Sequence, residues 1–192
     1  MAKKARLILE DGTEFSGRYF AGSSECSGEV VFNTAMSGYQ EVLTDPSYSN
    51  QCVVMTYPLI GNYGINTQDV ESRSLFLNAL IVKEYCDFPS NWRSTQSLAQ
   101  YLNDNNVVGV EGVDTRSLTL HIRDHGAQRL LITNDLNSSV EDLVKTLLKT
   151  PKMSGLNLAS EVSIDESYEW KSTDSKYRIA VIDCGVKYNI LR

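Results

Sequence analysis

Residues 28–57 read GEVVFNTAMSGYQEVLTDPSYSNQCVVMTY. Val30, Val31 and Phe32 mark a strand over 28–34, Ser37-Gly38 marks a turn, and a short helix follows. Asp45-Pro46-Ser47-Tyr48 makes a rigid turn, because the ring of Pro46 fixes φ and so holds Ser47 in a defined loop. A hydroxyl there can donate and accept without carrying charge. A second apolar run, QCVVMTY over 51–57, gives the next strand. On the residues alone, Ser47 is a serine that satisfies its own turn backbone.

Working outward, residues 5–10 and 13–20 alternate apolar and polar and are joined by Asp11-Gly12, a pair that tolerates the positive φ of a tight hairpin. LFLNALIV over 75–82 and VVGV over 107–110 are further strand candidates, short and rich in aliphatic residues. Apart from that short helix, helices are confined to the second half. The first spans 94–104, where Leu98, Tyr101 and Leu102 share a face, and the second spans 115–125. In the third, Ser138 and Glu141 make a capping box. Val140, Leu143, Val144, Leu147 and Leu148 form its stripe and Pro151 its stop. Such a stripe has to lie on a sheet or on other helices.

The text then turns polar over 163–177 (SIDESYEWKSTDSKY), without a sustained period, and gives way to RIAVID at 178–183, which ends in Asp-Cys-Gly. The expectation is one domain over 1–162, a linker over 163–177, and the first buried strand of another α/β domain in 178–192. A lone parallel-type strand cannot bury its own faces, so the chain reads as part of a longer protein.

Composition narrows the function classes. The 192 residues have an apolar share of 42% and a formal net charge of −6. No basic cluster stands out beyond Lys3 and Lys4, so the footprint of a nucleic-acid binder is missing. Glu10 and Asp11 cut short any signal-peptide core, and no segment approaches the roughly 20 apolar residues that cross a bilayer. Cys26, Cys52, Cys86 and Cys184 lie far apart, without metal or redox spacing, and read as packed, reduced thiols of a cytoplasmic protein.

Four features invite a chemical reading. Cys184 ends an apolar run beside Gly185, but it belongs to the first strand of its domain, not to a nucleophile elbow, and no histidine follows it. His121 and His125 stand at i and i+4, a metal-like spacing, yet His125 precedes the helix-ending Gly126 and His121 adjoins the Leu118 and Ile122 face. Asp114 before Thr115-Arg116 is a helix cap. Gly61-Asn62-Tyr63-Gly64 lacks the GKS/T ending of a phosphate loop and reads as a turn. No catalytic residue and no metal site is therefore expected here.

Several long motifs occur in one order: GEVVFNTAMSGYQEVLTDPSY (28–48), TYPLIGNYGIN (56–66), PSNWR (89–93), GVDTRSLTLHIRDHGA (112–127), GLNLASEVS (155–163) and VIDCGVKYNILR (181–192). Together they resemble the small subunit of carbamoyl-phosphate synthetase over essentially the whole chain. The resemblance implies an α/β, swivelling β/β/α-type N-terminal domain followed by the first strand of a class I glutamine amidotransferase domain. It also implies a subunit that releases ammonia from L-glutamine and passes it through a tunnel to a large subunit, which makes carbamoyl phosphate from bicarbonate and ATP. No cofactor is implied in this chain; ATP and divalent metal belong to the large subunit. Carried over by position, Ser47 contacts glutamine, while the Cys, His and Glu triad falls nowhere in these residues. The rival expectation is a non-enzymatic protein-interaction domain of the same fold.

Overall fold

The computed structural model describes residues 3–171 and 176–192. Its strands are β1 (Lys4–Leu9), β2 (Glu14–Ala21), β3 (Cys26–Asn33), β4 (Gln51–Met55), β5 (Leu59–Ile60), β6 (Ala79–Ile81), β7 (Glu84–Tyr85), β8 (Val108–Glu111) and β9 (Gln128–Thr133). Its helices are α1 (Tyr39–Leu43), α2 (Leu98–Asp104), α3 (Thr115–His125), α4 (Val140–Leu147), α5 (Leu158–Val162) and α6 (Tyr188–Leu191), with a 3-10 turn at Pro46–Tyr48.

Seven strands close into a barrel in the order β1-β2-β8-β6-β4-β3-β9, with β9 returning to β1. The run β3-β4-β6-β8 is parallel, and the remaining pairings are antiparallel. The hairpin expected at Asp11-Gly12 joins β1 to β2, with Gly12 at φ 87°. β5 and β7 form a separate two-stranded parallel sheet.

The period of two explains how one sheet serves three clusters. Leu7, Leu9, Val30, Cys52, Val54, Ala79, Ile81, Val108, Val110, Leu130 and Ile132 point inward and fill the barrel, and α3 adds Leu118 and Ile122 to the same cluster. The alternate residues Val53, Met55 and Leu80 face outward against Tyr39 and Leu43 of α1 and Leu98 and Leu102 of α2. Ile8 and Leu131 face outward against Leu143 and Leu147 of α4. β4 and β6 are thus covered on both faces, which is why they read as continuous apolar runs. Each fully buried aliphatic side chain stabilises the fold by about 1.5–3 kcal/mol. On β8, Gly109 lets the Phe20 ring lie against the backbone, where a Cβ would come within 2.7 Å of it, and Phe20 stacks in turn on Tyr85 at 4.3 Å.

Several expectations need correction. The strand expected over 75–82 is formed only at 79–81; just ahead of it, the Asn78 side-chain amide donates to Ser27 O (2.7 Å) and Asn50 Oδ1 (2.8 Å) and ties that loop to its neighbours. The cap of α4 is Ser139 with Asp142, not Ser138 with Glu141: Asp142 N–H donates to Ser139 Oγ at 3.2 Å and Ser139 Oγ donates to Asp142 at 3.0 Å. Ser138 is already engaged by Asp135 through its N–H and hydroxyl, and its carbonyl accepts from Arg6 at 2.7 Å. β9 has no counterpart among the expected strands, since QRLLIT opens on two polar residues and alternates poorly.

RIAVID, expected as the opening strand of a further domain, has no neighbouring strands to join in this chain. Residues 178–183 form no strand, and Ile179 and Ile182 are 87% and 92% exposed. Every barrel strand is already paired on both sides, so the sheet offers no free edge for this segment to join. Cys184 is accordingly exposed rather than packed at a strand end. No helix among the described residues is long and apolar enough to cross a membrane.

Candidate functional site

The site grows out of the crossover between β3 and β4. Helix α1 buries Tyr39, Gln40, Val42 and Leu43 and ends at Thr44, after which Asp45 caps the 3-10 turn. Its Oδ1 accepts the Ser47 N–H at 2.9 Å, and Pro46 occupies the first position of the turn, where a missing N–H costs nothing. Pro46 is buried while Ser47 is exposed, and Ser47 Oγ hydrogen-bonds no described residue. The turn is rigid, yet its hydroxyl is left for something else.

Gln40 anchors the loop beside this turn. Fully buried, it accepts the Asn66 N–H at Oε1 (2.9 Å) and donates from Nε2 to the Asn66 carbonyl (2.5 Å). Asn66 Oδ1 caps the next turn by accepting from Gln68 N (2.9 Å) and Asp69 N (3.0 Å), and Asp69 pairs with Arg93 at 2.5 Å. Burial works against ionisation of Asp69, but hydrogen bonds from Asn66 and Arg93 outweigh it and lower its pKa. The loop then delivers Glu71, Ser72 and Arg73 next to the Ser47 turn: Thr44 Oγ1 accepts the Glu71 N–H (2.9 Å), and Ser72 Oγ donates to the Thr44 carbonyl (2.6 Å).

Two later segments dock on this loop. Arg73 donates to the carbonyls of Glu161 (3.0 Å), Val162 (2.8 Å) and Ser163 (3.1 Å), where the C-terminus of α5 presents its free acceptors to a cation. Asp183 accepts the N–H groups of Gly185 (2.9 Å) and Val186 (2.8 Å) and a hydrogen bond from Tyr168 (3.1 Å). Against the effect of burial, those bonds lower the Asp183 pKa. Between loop and segments lies a groove of about 180 Å³, lined by Pro46, Ser72, Arg73, Tyr168, Asp183 and Gly185 among others.

The other singled-out residues lie elsewhere. His121 and His125 stack at 4.4 Å, but His121 Nε2 is engaged with Asp11 Oδ2 at 2.7 Å and His125 Nδ1 lies 3.0 Å from the His121 carbonyl. Among the described residues no group of three His, Cys, Asp or Glu side chains is placed to hold a metal. Asp114 caps α3, accepting from Ser117 N at 3.0 Å, and Gly61 and Gly64 occupy turns at φ 99° and 68°.

Asp11 supports a pH prediction. Burial opposes its ionisation, but hydrogen bonds from the Thr13 backbone, Gln128 and His121 prevail and hold it well below the usual carboxylate range. A depressed folded-state pKa gives stability that is present above the unfolded value, about 4, and is lost as pH falls through the folded value. Thermal unfolding between about pH 2 and 6 should therefore show a steeper acid limb for the native chain than for Asp11→Asn. Parallel limbs would show that Asp11 carries no such linkage.

A family model described as the carbamoyl-phosphate synthase small chain, CPSase domain, matches residues 7–132, more than half of the chain. The chain belongs to the carbamoyl-phosphate synthase small-chain family. It is 48% identical over 202 residues to the carbamoyl phosphate synthase small chain of Syntrophotalea carbinolica, covering 98% of this chain and 54% of that protein. With the small chain of Aquifex aeolicus it shares 47% over 204 residues, covering 100% of this chain and 55% of the relative. With that of Clostridium perfringens it shares 50% over 189 residues, covering 98% and 52%. The chain spans about half the length of the curated relatives it matches.

Within this small-chain domain the sequence points to Ser47 but not to the residues around it. Gln40, Glu71 and Arg73 sit in polar or mixed stretches whose spacing carries no sign of burial. Only the closure of the barrel and the docking of residues 161–163 and 188–192 make them neighbours.

Proposed function

We propose that this chain is the N-terminal part of the glutamine-hydrolysing subunit of carbamoyl-phosphate synthetase, with the barrel as the swivelling β/β/α-type domain and residues 178–192 as the opening of the class I amidotransferase domain. The whole subunit would release ammonia from L-glutamine in the cytoplasm and hand it to the large subunit. There ATP and divalent metal support carbamoyl phosphate synthesis for pyrimidine and arginine formation.

The observation that carries the reading is the Ser47 turn in a chain of this family. Its N–H is taken by Asp45 and its hydroxyl has no described partner, so the hydroxyl is what the turn can offer a substrate. We assign it to the amino-acid end of glutamine, whose charged groups gain from a fixed neutral hydrogen-bonding partner. Nucleophilic cleavage belongs, on this reading, to the Cys, His and Glu of the amidotransferase domain, and residues 1–192 alone are expected to release no ammonia.

The rival reading is an interaction module of the same fold. Binding to the large subunit cannot separate the two, since both require it. Glutamine should protect a small chain of full family length against proteolysis, and Ser47→Ala should abolish that protection at the same glutamine concentration. A native small chain that binds the large subunit but gains no protection from glutamine would favour the interaction module.

A further inference from the structure

We infer that Glu71 and Asp45 are positioning residues that clamp residues 183–192 against the Ser47 turn, so that the glutamine contact is completed only while that segment is docked. The inference rests on the assignment of Ser47 to glutamine.

Glu71 is the anchor. It is 2% exposed, and its carboxylate accepts from Asn189 N–H at 2.8 Å and from Arg192 Nη1 at 3.1 Å, while its carbonyl accepts the Tyr188 N–H at 2.8 Å. Both partners of the carboxylate lie in residues 189–192, so its hydrogen bonds and ion pair are made only while that segment is docked. Arg192 holds the loop as well, donating to the carbonyls of Gln68 and Val70 at 2.8 Å each.

Asp45 carries this docking to the turn. One of its oxygens accepts the Ser47 N–H at 2.9 Å, and the other faces Lys187 Nζ at 3.1 Å. The part-exposed ion pair contributes little by itself, but Lys187 adjoins Tyr188, which Glu71 already holds. The fit is close: a Cβ on Gly185 would meet Val162 Cγ2 at 2.7 Å and Pro46 Cβ at 3.3 Å. A shift of the segment is therefore felt at Pro46 and Asp45, the two residues that set the direction of Ser47.

The test uses a small chain of full family length assembled with the large subunit, with glutamine kinetics as the readout. Glu71→Gln keeps an acceptor for Asn189 N–H but removes the charge facing Arg192; the KM for glutamine should rise about 3- to 10-fold with kcat within about twofold. Arg192→Met should do the same, and the double variant should be no worse than the more affected single one, because both changes break one link. Asp45→Asn, which can still cap the turn, should give a smaller rise in KM. An unchanged KM in Glu71→Gln and Arg192→Met, in an enzyme where Ser47→Ala raises it, would overturn the clamp and leave the Ser47 assignment standing. Effects that multiply in the double variant would also overturn it. A normal KM in Ser47→Ala would overturn the Ser47 assignment instead; hydrogen exchange at amides 188–192 then decides the docking itself, with faster exchange in Glu71→Gln supporting the anchor and unchanged exchange refuting it. Should Glu71→Gln fail to fold, Arg192→Met carries the same expectations from a partly exposed position.

Discussion

Ser47→Ala is expected to raise the KM for glutamine roughly 10- to 100-fold while kcat stays nearly unchanged, in the full-length small chain with its large subunit. A hydrogen bond to a charged group contributes about 1.5–3 kcal/mol, which sets that range. The split between the constants follows from where the hydroxyl acts. Holding the amino-acid end, remote from the scissile amide, it serves ground and transition states equally, so its loss appears as weaker binding. The change should leave the fold intact, since Ser47 is exposed and the turn is held by the Asp45 cap and the buried Pro46. Synthesis from added ammonia bypasses the glutamine site and should match the unaltered enzyme. A normal KM for glutamine, or an equal loss with ammonia, would return Ser47 to the status of an ordinary turn residue.

The second large effect is expected in stability, at Gln40. Its amide answers both backbone groups of Asn66, at 2.5 and 2.9 Å, in a fully buried position. Gln40→Leu keeps the volume roughly constant but orphans a buried N–H and a buried carbonyl, each costing about 1–3 kcal/mol. A loss of about 2–5 kcal/mol should lower the melting temperature by roughly 5–15 °C for a domain of this size. Gln40→Glu discriminates further. A carboxylate can accept from the Asn66 N–H but cannot donate to its carbonyl, and burial raises the pKa of such a group. The variant should be least stable relative to the native chain at neutral pH. It should recover part of the difference as pH falls toward about 5, where the introduced carboxyl takes up a proton and can donate to the Asn66 carbonyl again. A melting temperature within about 2 °C of native for Gln40→Leu would show that the loop does not depend on this pair.

How far the sequence disclosed the molecule depended on the range of the force that fixes each part. The Asp11-Gly12 hairpin, the Asp114 cap, the α4 stripe and the Pro46 turn are set by neighbours in the chain, and they stand where local chemistry put them, except that Leu148 of the expected stripe is exposed beyond the end of α4 and the α4 cap shifts by one residue because Asp135 had claimed Ser138. β9 and the shortening of β6 were hidden because both are decided by strands far away in sequence. The order β1-β2-β8-β6-β4-β3-β9 cannot be deduced from alternation, which reports a face but not a neighbour. The same limit applies to the site. Ser47 was singled out through motif resemblance, whereas Glu71 and Gln40 became conspicuous only as buried polar groups with hydrogen-bond partners.

The closed barrel also bears on how the isolated chain would behave at high concentration. Because each of its strands is already paired on both sides, the barrel gives another molecule no row of free amides and carbonyls to extend. The apolar run at 178–183, exposed and outside any strand, is different: it combines β-forming residues with backbone left open for intermolecular ladders. Self-association of this chain should therefore begin at its C-terminal segment, and trimming that segment away is not a free remedy for precipitation. A cut before residue 178 removes the exposed apolar run but also takes Asn189 and Arg192 from Glu71, exchanging a solubility problem for a carboxylate beside the Ser47 turn without its hydrogen bonds and ion pair.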